Sequence, residues 1–362
     1  MNKLMIALSS FLAAGLLSVL GTLLVRRWSV SRGFVDRPGG HKGHAAPVAL
    51  GGGVAITLAV ILPMVAGLLA ARLLAANPPE WLPPEVAVHL NGIVTKAPTA
   101  FGLVIAALAM CVMGLVDDAR PLKPGRKLLI QFVVVVGVVV FLNVRLLSHL
   151  PWPVSVGLSV VWLLTLTNSL NFLDNMDGLA AGVGMIAASV FAMTAMAAGQ
   201  VFVPTCCWLL AGALAGFLLF NFHPASVFMG DAGSQVIGLL LAVFTILTTF
   251  ADPSQGQRPI GVIAPLVVMA VPLYDTISVC LIRWRSGEPI WKGDRRHFSH
   301  RLIKRGMGVR RAVLVIWLAT LVTALPAVQL STATWPQACG IFSHTLLVVL
   351  LVALLEDAGR TE

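Results

Sequence analysis

Apolar residues fill this chain in blocks long enough to cross about 30 Å of hydrocarbon as helices, separated by short polar stretches. The blocks lie near residues 4–25, 50–74, 98–116, 128–144, 154–170, 179–197, 203–220, 235–250, 261–281, 313–330 and 338–355. This pattern predicts an all-α, polytopic integral membrane protein of about 11 transmembrane helices. No long repeat or low-complexity segment interrupts it, so residues 1–362 read as one transmembrane domain. The first block is too long for a signal-peptide core, and its arginine pair, Arg26 and Arg27, follows it rather than preceding it, so it should stay as an anchor. The Pro-rich polar stretch 76–97 reads as a connector.

Composition agrees with that reading: the chain is 58% hydrophobic and 11% charged, with mean hydropathy +0.91, beyond what a soluble core requires. The net charge of +10 changes the picture through its distribution. Cationic loops are retained on the cytoplasmic side. With the N-terminus outside and the C-terminus cytoplasmic, 20 of the Lys and Arg residues fall inside and 5 outside. The cytoplasmic loops are then those near 26–49, 117–127, 171–178, 221–234 and 283–312. Topology and attraction to anionic headgroups account for most of the basic field, above all at 301–311. Cys111, Cys206, Cys207, Cys280 and Cys339 lie in or beside apolar spans without the spacing of a zinc site or disulfide framework, and read as packing residues.

The acids supply the candidate chemistry. Under this topology Asp36, Asp117, Asp118, Asp174, Asp177, Asp231, Asp275, Glu288 and Asp294 all come to the inner face, from loops far apart in sequence. A transporter more often buries carboxylates near the bilayer midplane in broken helices. A ring of acids at one interface instead favours an enzyme at which a water-soluble and a lipid substrate meet.

Four segments carry the pattern. In GLVDDARPLKPGRKLLIQ (114–131), Asp117 and Asp118 end a block and Lys127 opens the next. Adjacent carboxylates repel unless they share a cation or proton, although a solvated helix end neutralised by Arg120 and Lys127 would look the same. NSLNFLDNMDGLAAG (168–182) spaces Asn168, Asn171, Asp174 and Asp177 three apart. Each step of three drifts about 60° around a helix, so a helix ending or breaking before Gly178 is expected, bringing Asn171, Asp174 and Asp177 toward one point. FMGDAGS (228–234) sets Phe228 before Asp231 on a Gly-flanked turn, where amides can approach an anion, an acid can hold Mg²⁺ or cap a helix, and an aromatic ring can stack on a base. KGDRRHFSHRL (292–302) gathers Lys292, Arg295, Arg296, His297, His300 and Arg301. His297 and His300 have the spacing of zinc ligands, but the surrounding cations oppose a metal and suit phosphate better.

Oxygen ligands, cations and helix ends without an activated Ser or Cys describe phosphoryl transfer. In order and spelling these segments, with GFVDRPGGHKGHAAPVALGGG (33–53), resemble the polyprenyl-phosphate N-acetylhexosamine-1-phosphate transferases, glycosyltransferase family 4, along nearly the whole chain. The resemblance implies transfer of a sugar 1-phosphate from a UDP-N-acetylhexosamine to undecaprenyl phosphate in the cytoplasmic leaflet, with release of UMP. It implies Mg²⁺, with Mn²⁺ as the alternative, and membrane lipid as a partner; nucleic acid has no place, and a homodimer is open. Asp117, Asp118 and Lys127 match the catalytic positions, Asp117 and Asp118 positioning the acceptor phosphate or, less simply, abstracting a proton. Asp231 matches the metal-binding Asp and Phe228 the uracil-stacking aromatic. Asn171, Asp174 and Asp177 match the nucleotide pocket, and His297, His300 and Arg301 the basic loop that holds the diphosphate or sugar. Asp36, His41 and His44 resemble the first-loop motif.

HFSH in place of a run of three histidines and APVALGGG in place of a GTPTMGG-like loop depart from the phospho-MurNAc-pentapeptide branch and lean the assignment toward GlcNAc-1-phosphate, with the peptidoglycan branch as the alternative; Asn175, where that branch has Gly, bears on the backbone shape of the nucleotide loop. A lipid-linked-sugar transporter would share the basic face without needing both Asp117–Asp118 and Asp231. A CDP-alcohol phosphotransferase would keep its acids and Arg in one short stretch, and a scaffold would need no such ring of carboxylates.

Overall fold

A computed structural model of the protein describes residues 3–37, 46–79, 84–248, 258–289 and 296–357. Among them are fourteen helices: α1 Lys3–Arg32, α2 Gly52–Leu74, α3 Pro84–Thr95, α4 Ala97–Ala119, α5 Pro124–Phe141, α6 Trp152–Leu173, α7 Leu179–Ala197, α8 Phe202–Asn221, α9 Gly230–Leu247, α10 Ala264–Val268, α11 Ala270–Arg285, α12 Phe298–Lys304, α13 Val309–Ala324 and α14 Trp335–Asp357. Ten helices are each long and apolar enough to cross a membrane; Ile260–Val268 with Ala270–Arg285, bent by 66°, makes an eleventh if taken as one span. The protein is thus all-α and multi-pass, as the hydrophobic blocks predict. The stretch expected as a connector contains α3, and the block 261–281 is broken at Met269.

The bundle is built around α7, α8 and α9, its most enclosed spans, with α1 and α14 on the outside. α1 faces outward through Leu4, Leu8, Leu12, Leu16, Leu20 and Leu24, all exposed, and turns Ala7, Ala14 and Ser18 inward. In lipid such a leucine face loses nothing by exposure, and small residues let helices approach closely. α9 packs on α4 and α6, so both helices that end in acid motifs lie against the helix that carries Asp231 in its first turn.

Between α1 and α2 the chain forms a two-stranded antiparallel ribbon, β1 Val35–Asp36 and β2 Val48–Ala49, pairing Val35 with Ala49 and Asp36 with Val48. This ribbon is bonded to the segment before α9. Phe228 N donates to Ala49 O at 2.8 Å, Gly52 N to Phe228 O at 3.0 Å and Gly53 N to Met229 O at 2.9 Å. The first loop therefore holds the FMGD turn in place.

Candidate active site

The C-terminal ends of α4 and α6 and the N-terminal ends of α5 and α9 meet at one ammonium group. Lys127, in the first turn of α5, donates to Asp117 Oδ2 at 2.9 Å and to Asp231 Oδ2, with Asn171 Oδ1 at 3.5 Å. Asn171 in turn donates to Asp231 Oδ1 at 2.6 Å and to Ser234 Oγ at 2.9 Å. Four residues singled out from sequence, Asp117, Lys127, Asn171 and Asp231, thus form one connected cluster.

Asp118 has a different task. Its Oδ1 accepts the Asp231 N–H at 2.8 Å and its Oδ2 the Ala232 N–H at 3.3 Å, so a carboxylate from α4 satisfies the first amides of α9. Asp231 therefore does not cap its own helix, and these amides face Asp118 rather than a free anion. Gly230 is required here twice over: its φ is +67°, and a Cβ would collide with the Asp118 carboxylate. Close approach of α2 and α4 makes the pairing possible, since a Cβ on Gly53 or Gly114 would strike the Ala232–Gly233 or Asp231–Ala232 backbone.

α6 does end before Gly178, at Leu173, but the expected convergence of three residues is incomplete. Asp177 turns away from Asn171: its Oδ2 lies 2.7 Å from His223 Nδ1 and accepts the Ala225 N–H at 3.1 Å. Gly178, at φ +75°, donates its N–H to Asn221 Oδ1 at 3.0 Å, which steers the loop toward the end of α8. Asp174, just beyond α6, has its carboxyl held well above the usual carboxylate range, first by burial and then by the negative charges of Asp231, Asp118 and Asp177. Phe228 is half-buried three residues before Asp231, held through its backbone by Ala49 and Gly52. Beside His223 an open groove of about 610 Å³ is lined by His223, Pro224, Gly308, Val309, Arg310 and Arg311, with Arg310 Nε donating to His223 O at 2.8 Å.

Of the basic loop, Lys292, Asp294 and Arg295 lie outside the described residues, as do His41 and His44 of the first loop. His297 is buried and faces Asp275, and His300 is half-buried. Arg301 is engaged away from Lys127: Nε lies 3.0 Å from Glu356 Oε2 and Nη2 donates to Ser278 Oγ at 2.8 Å, tying α12 to α14 and α11. Ser299 Oγ donates to Asn175 Oδ1 at 2.5 Å, and Asn175 Nδ2 donates to Phe172 O at 2.7 Å. Ser299, within HFSH, and Asn175 each sit at a departure from the peptidoglycan branch, and their bond joins the basic loop to the 171–178 loop.

Sequence reasoning named Asn168 but missed Gln131 and Gln235, with which it forms a layer of amides one turn further into the bundle. Gln131 Nε2 donates to Asn168 Oδ1 at 3.2 Å and to Gln235 Oε1 at 2.7 Å, and Asn168 Nδ2 donates back to Gln131 Oε1 at 3.1 Å. Gln131 and Gln235 each follow a cluster residue by four positions, and Asn168 precedes Asn171 by three. That spacing inside apolar blocks was the available signal.

Two carboxylates, on Asp117 and Asp231, share one ammonium, Asp118 is bonded to the Asp231 amide, and Asp174 lies within reach of the charges of Asp231 and Asp118. Both oxygens of Asp117, Asp118 and Asp231 already accept hydrogen bonds. Among the described residues no three His, Cys, Asp or Glu side chains form a ready cation cage. The surplus negative charge and the all-oxygen donor set nevertheless fit Mg²⁺, which is commonly held by one or two carboxylates together with substrate phosphates.

Comparison with known proteins agrees with this geometry. Residues 100–249, which carry the Lys127 cluster, match the model of glycosyl transferase family 4. The chain is 30% identical to a probable undecaprenyl-phosphate N-acetylglucosaminyl 1-phosphate transferase of Bacillus subtilis, over 97% of this chain and 91% of that protein. It is 30% identical to a decaprenyl-phosphate N-acetylglucosaminephosphotransferase of Mycolicibacterium smegmatis, over 95% and 87%. Identity is 25% to an undecaprenyl-phosphate alpha-N-acetylglucosaminyl 1-phosphate transferase of Salmonella typhi, over 89% and 83%. With the four motifs in order, the polar helix ends assembled and these relatives matched almost end to end, the chain belongs to glycosyl transferase family 4.

Proposed function

We propose that this protein transfers N-acetylglucosamine 1-phosphate from UDP-GlcNAc to undecaprenyl phosphate, releasing UMP and starting a lipid-linked cell-wall or surface polysaccharide. The observation that carries the proposal is the convergence of Asp117, Asn171 and Asp231 on Lys127, in a chain aligned almost end to end with relatives named for this reaction. The N-terminus is outside, the C-terminus is cytoplasmic, and the cluster faces the cytosol at the plasma membrane; the distribution of Lys and Arg supports this.

A prenyl phosphate oxygen attacks the phosphorus next to the sugar; the new O–P bond forms as the bridging P–O bond breaks and UMP departs. The bond from sugar C1 to oxygen survives, so the anomeric configuration persists. A phosphate monoester is already largely ionised at pH 7, so the protein's main tasks are alignment and charge balance. Asp118 spends both oxygens on α9 and acts as a positioning group. Asp117, unlike Asp118, has one oxygen on the Lys127 ammonium, and Asp117 and Lys127 are the pair that meets the acceptor phosphate, with Lys127 offsetting the charge brought together there. Asn171, Asp174, Asp177 and Phe228 hold the nucleotide, His297 and His300 the diphosphate and sugar, and Arg301 seats their helix against α14 and α11. Mg²⁺, with Mn²⁺ as its substitute, would be held by Asp231 with the donor's phosphate oxygens and would supply charge neutralisation for the diphosphate.

The test is UMP release by purified protein given undecaprenyl phosphate, Mg²⁺ and a panel of UDP-sugars, with and without lipid. Lipid-dependent UMP from UDP-GlcNAc is the expected result. UMP from another UDP-sugar alone would replace the substrate, and none from any sugar in folded protein would overturn the reaction.

A further inference from the structure

Outside the Lys127 cluster, α11 carries a buried acid that the reaction above does not use. Asp275 is fully buried and directs both oxygens at the start of α12: Oδ2 lies 2.8 Å from His297 Nδ1, and Oδ1 accepts the Phe298 N–H at 2.7 Å. His297 is only 5% exposed. Its ring stands edge-on to Phe172, with centroids 6.0 Å apart, and the buried Arg283 guanidinium lies 5.7 Å from the centroid of the same Phe172 ring. Phe172 lies in the last turn of α6, between Asn171 and Asp174 in the chain, so Arg283 directly and Asp275 through His297, both on α11, support the helix end that carries candidate nucleotide residues.

Taking a carboxylate out of water costs several kcal/mol unless its partners offset it. Phe298 and Leu302, both buried, already give α12 an apolar anchor, which needs no acid. A carboxylate does something an apolar residue cannot. By accepting from Nδ1 it keeps the proton on that nitrogen, leaves Nε2 for a ligand and fixes the plane of the ring.

We propose that Asp275 is a positioning residue for His297, setting the tautomer and ring orientation with which that histidine meets the diphosphate of the sugar donor. The proposal rests on the functional reading above, which places His297 in the donor site.

Asp275→Asn tests it, because an amide of the same size has one acceptor oxygen and can serve either Phe298 N–H or His297 Nδ1–H, not both. In full-length protein in nanodiscs, kcat/KM for UDP-GlcNAc should fall at least about tenfold, through KM for the donor, with KM for undecaprenyl phosphate unchanged. The same change made in a His297→Ala background should bring no further loss. Losses that multiply in the double variant would reduce Asp275 to a cap for α12 and overturn the proposal. The ¹⁵N NMR signals of His297, assigned by their loss in His297→Ala, should show a protonated Nδ1 in the unmodified protein. An unprotonated Nδ1 there would overturn the proposal even if Asp275→Asn did not fold. If the unmodified protein released no UMP, the functional reading would fall, and the NMR signals would still decide whether Asp275 sets the tautomer.

Discussion

Replacing Lys127 with Met leaves an unbranched side chain one atom shorter and removes the charge on which the cluster converges. Lys127 Nζ and Asp117 Oδ2 are 2.9 Å apart, and at an effective dielectric of about 20 unit charges at that distance attract by roughly 6 kcal/mol. Most of this is offset by desolvation and residual water, since the Lys127, Asp117 and Asp231 side chains remain 18%, 13% and 26% exposed. A net contribution of about 1.5–3 kcal/mol for each charged hydrogen bond is the reasonable remainder. Without the ammonium, Asp117 and Asp231 keep only the neutral donors Leu122 N–H and Asn171, and the field that held a lysine attracts a divalent cation.

Lys127→Met should therefore bind Mg²⁺ about 10- to 100-fold more tightly, at about 1.4 kcal/mol per tenfold. The rate of UMP release should fall by about 10²- to 10³-fold, the loss expected when one preorganised donor to developing charge is removed. Tighter metal binding with slower turnover separates this account from simple damage to the fold, which would weaken both. The assay is calorimetric titration of Mg²⁺ into the nanodisc-held protein, paired with initial rates of UMP formation. Unchanged or weaker Mg²⁺ binding, or a near-normal rate, would mean that Lys127 does not stand between these carboxylates in the working protein.

Three further outcomes follow from named contacts. Gly230→Ala should lower the thermal midpoint and nearly abolish UMP release, because it adds about 1–3 kcal/mol of backbone strain to a collision with Asp118; Gly306→Ala, at φ +85° but with nothing within 4 Å of the added Cβ, should show strain alone. Asp174 has a folded-state pKa raised above its unfolded value, so the stability it contributes is present below the unfolded pKa and lost as pH rises through the folded one. As pH rises through that window, the metal-free midpoint should fall and Mg²⁺ affinity should rise; Asp174→Asn should remove Asp174's contribution to both slopes, and unchanged slopes would refute the assignment. Asn175→Gly and Ser299→Ala each break the bond between the two loops, worth about 0.5–1.5 kcal/mol. Each should reduce kcat/KM for UDP-GlcNAc by about 2- to 12-fold on that scale, with the double variant no worse than the single ones; multiplying losses would show that the contact does not couple the loops.

What was legible in the sequence is what a single segment reveals. Long apolar blocks locate the spans because hydrocarbon thickness sets their length, and a charged residue at a block's end is conspicuous because it is costly there. That reasoning picks out Asp117, Lys127, Asn171 and Asp231, all of which enter the cluster. It falters where the decisive partner lies on another helix. Asp174 and Asp177 share one spacing rule with Asn171, yet the bond from Gly178 N–H to Asn221 sends Asp177 to His223 instead. Asp118 is indistinguishable in sequence from Asp117, and only the close approach of Gly114 to the first turn of α9 makes it the cap of that helix. Arg301 belongs to the most basic segment, but Glu356, 55 residues later, has claimed it for holding α12 to α14. A charge at a membrane boundary must find a partner, so its presence can be read locally. Which partner it finds depends on where small residues let helices meet, and that decides which of these acids and bases remain free for chemistry.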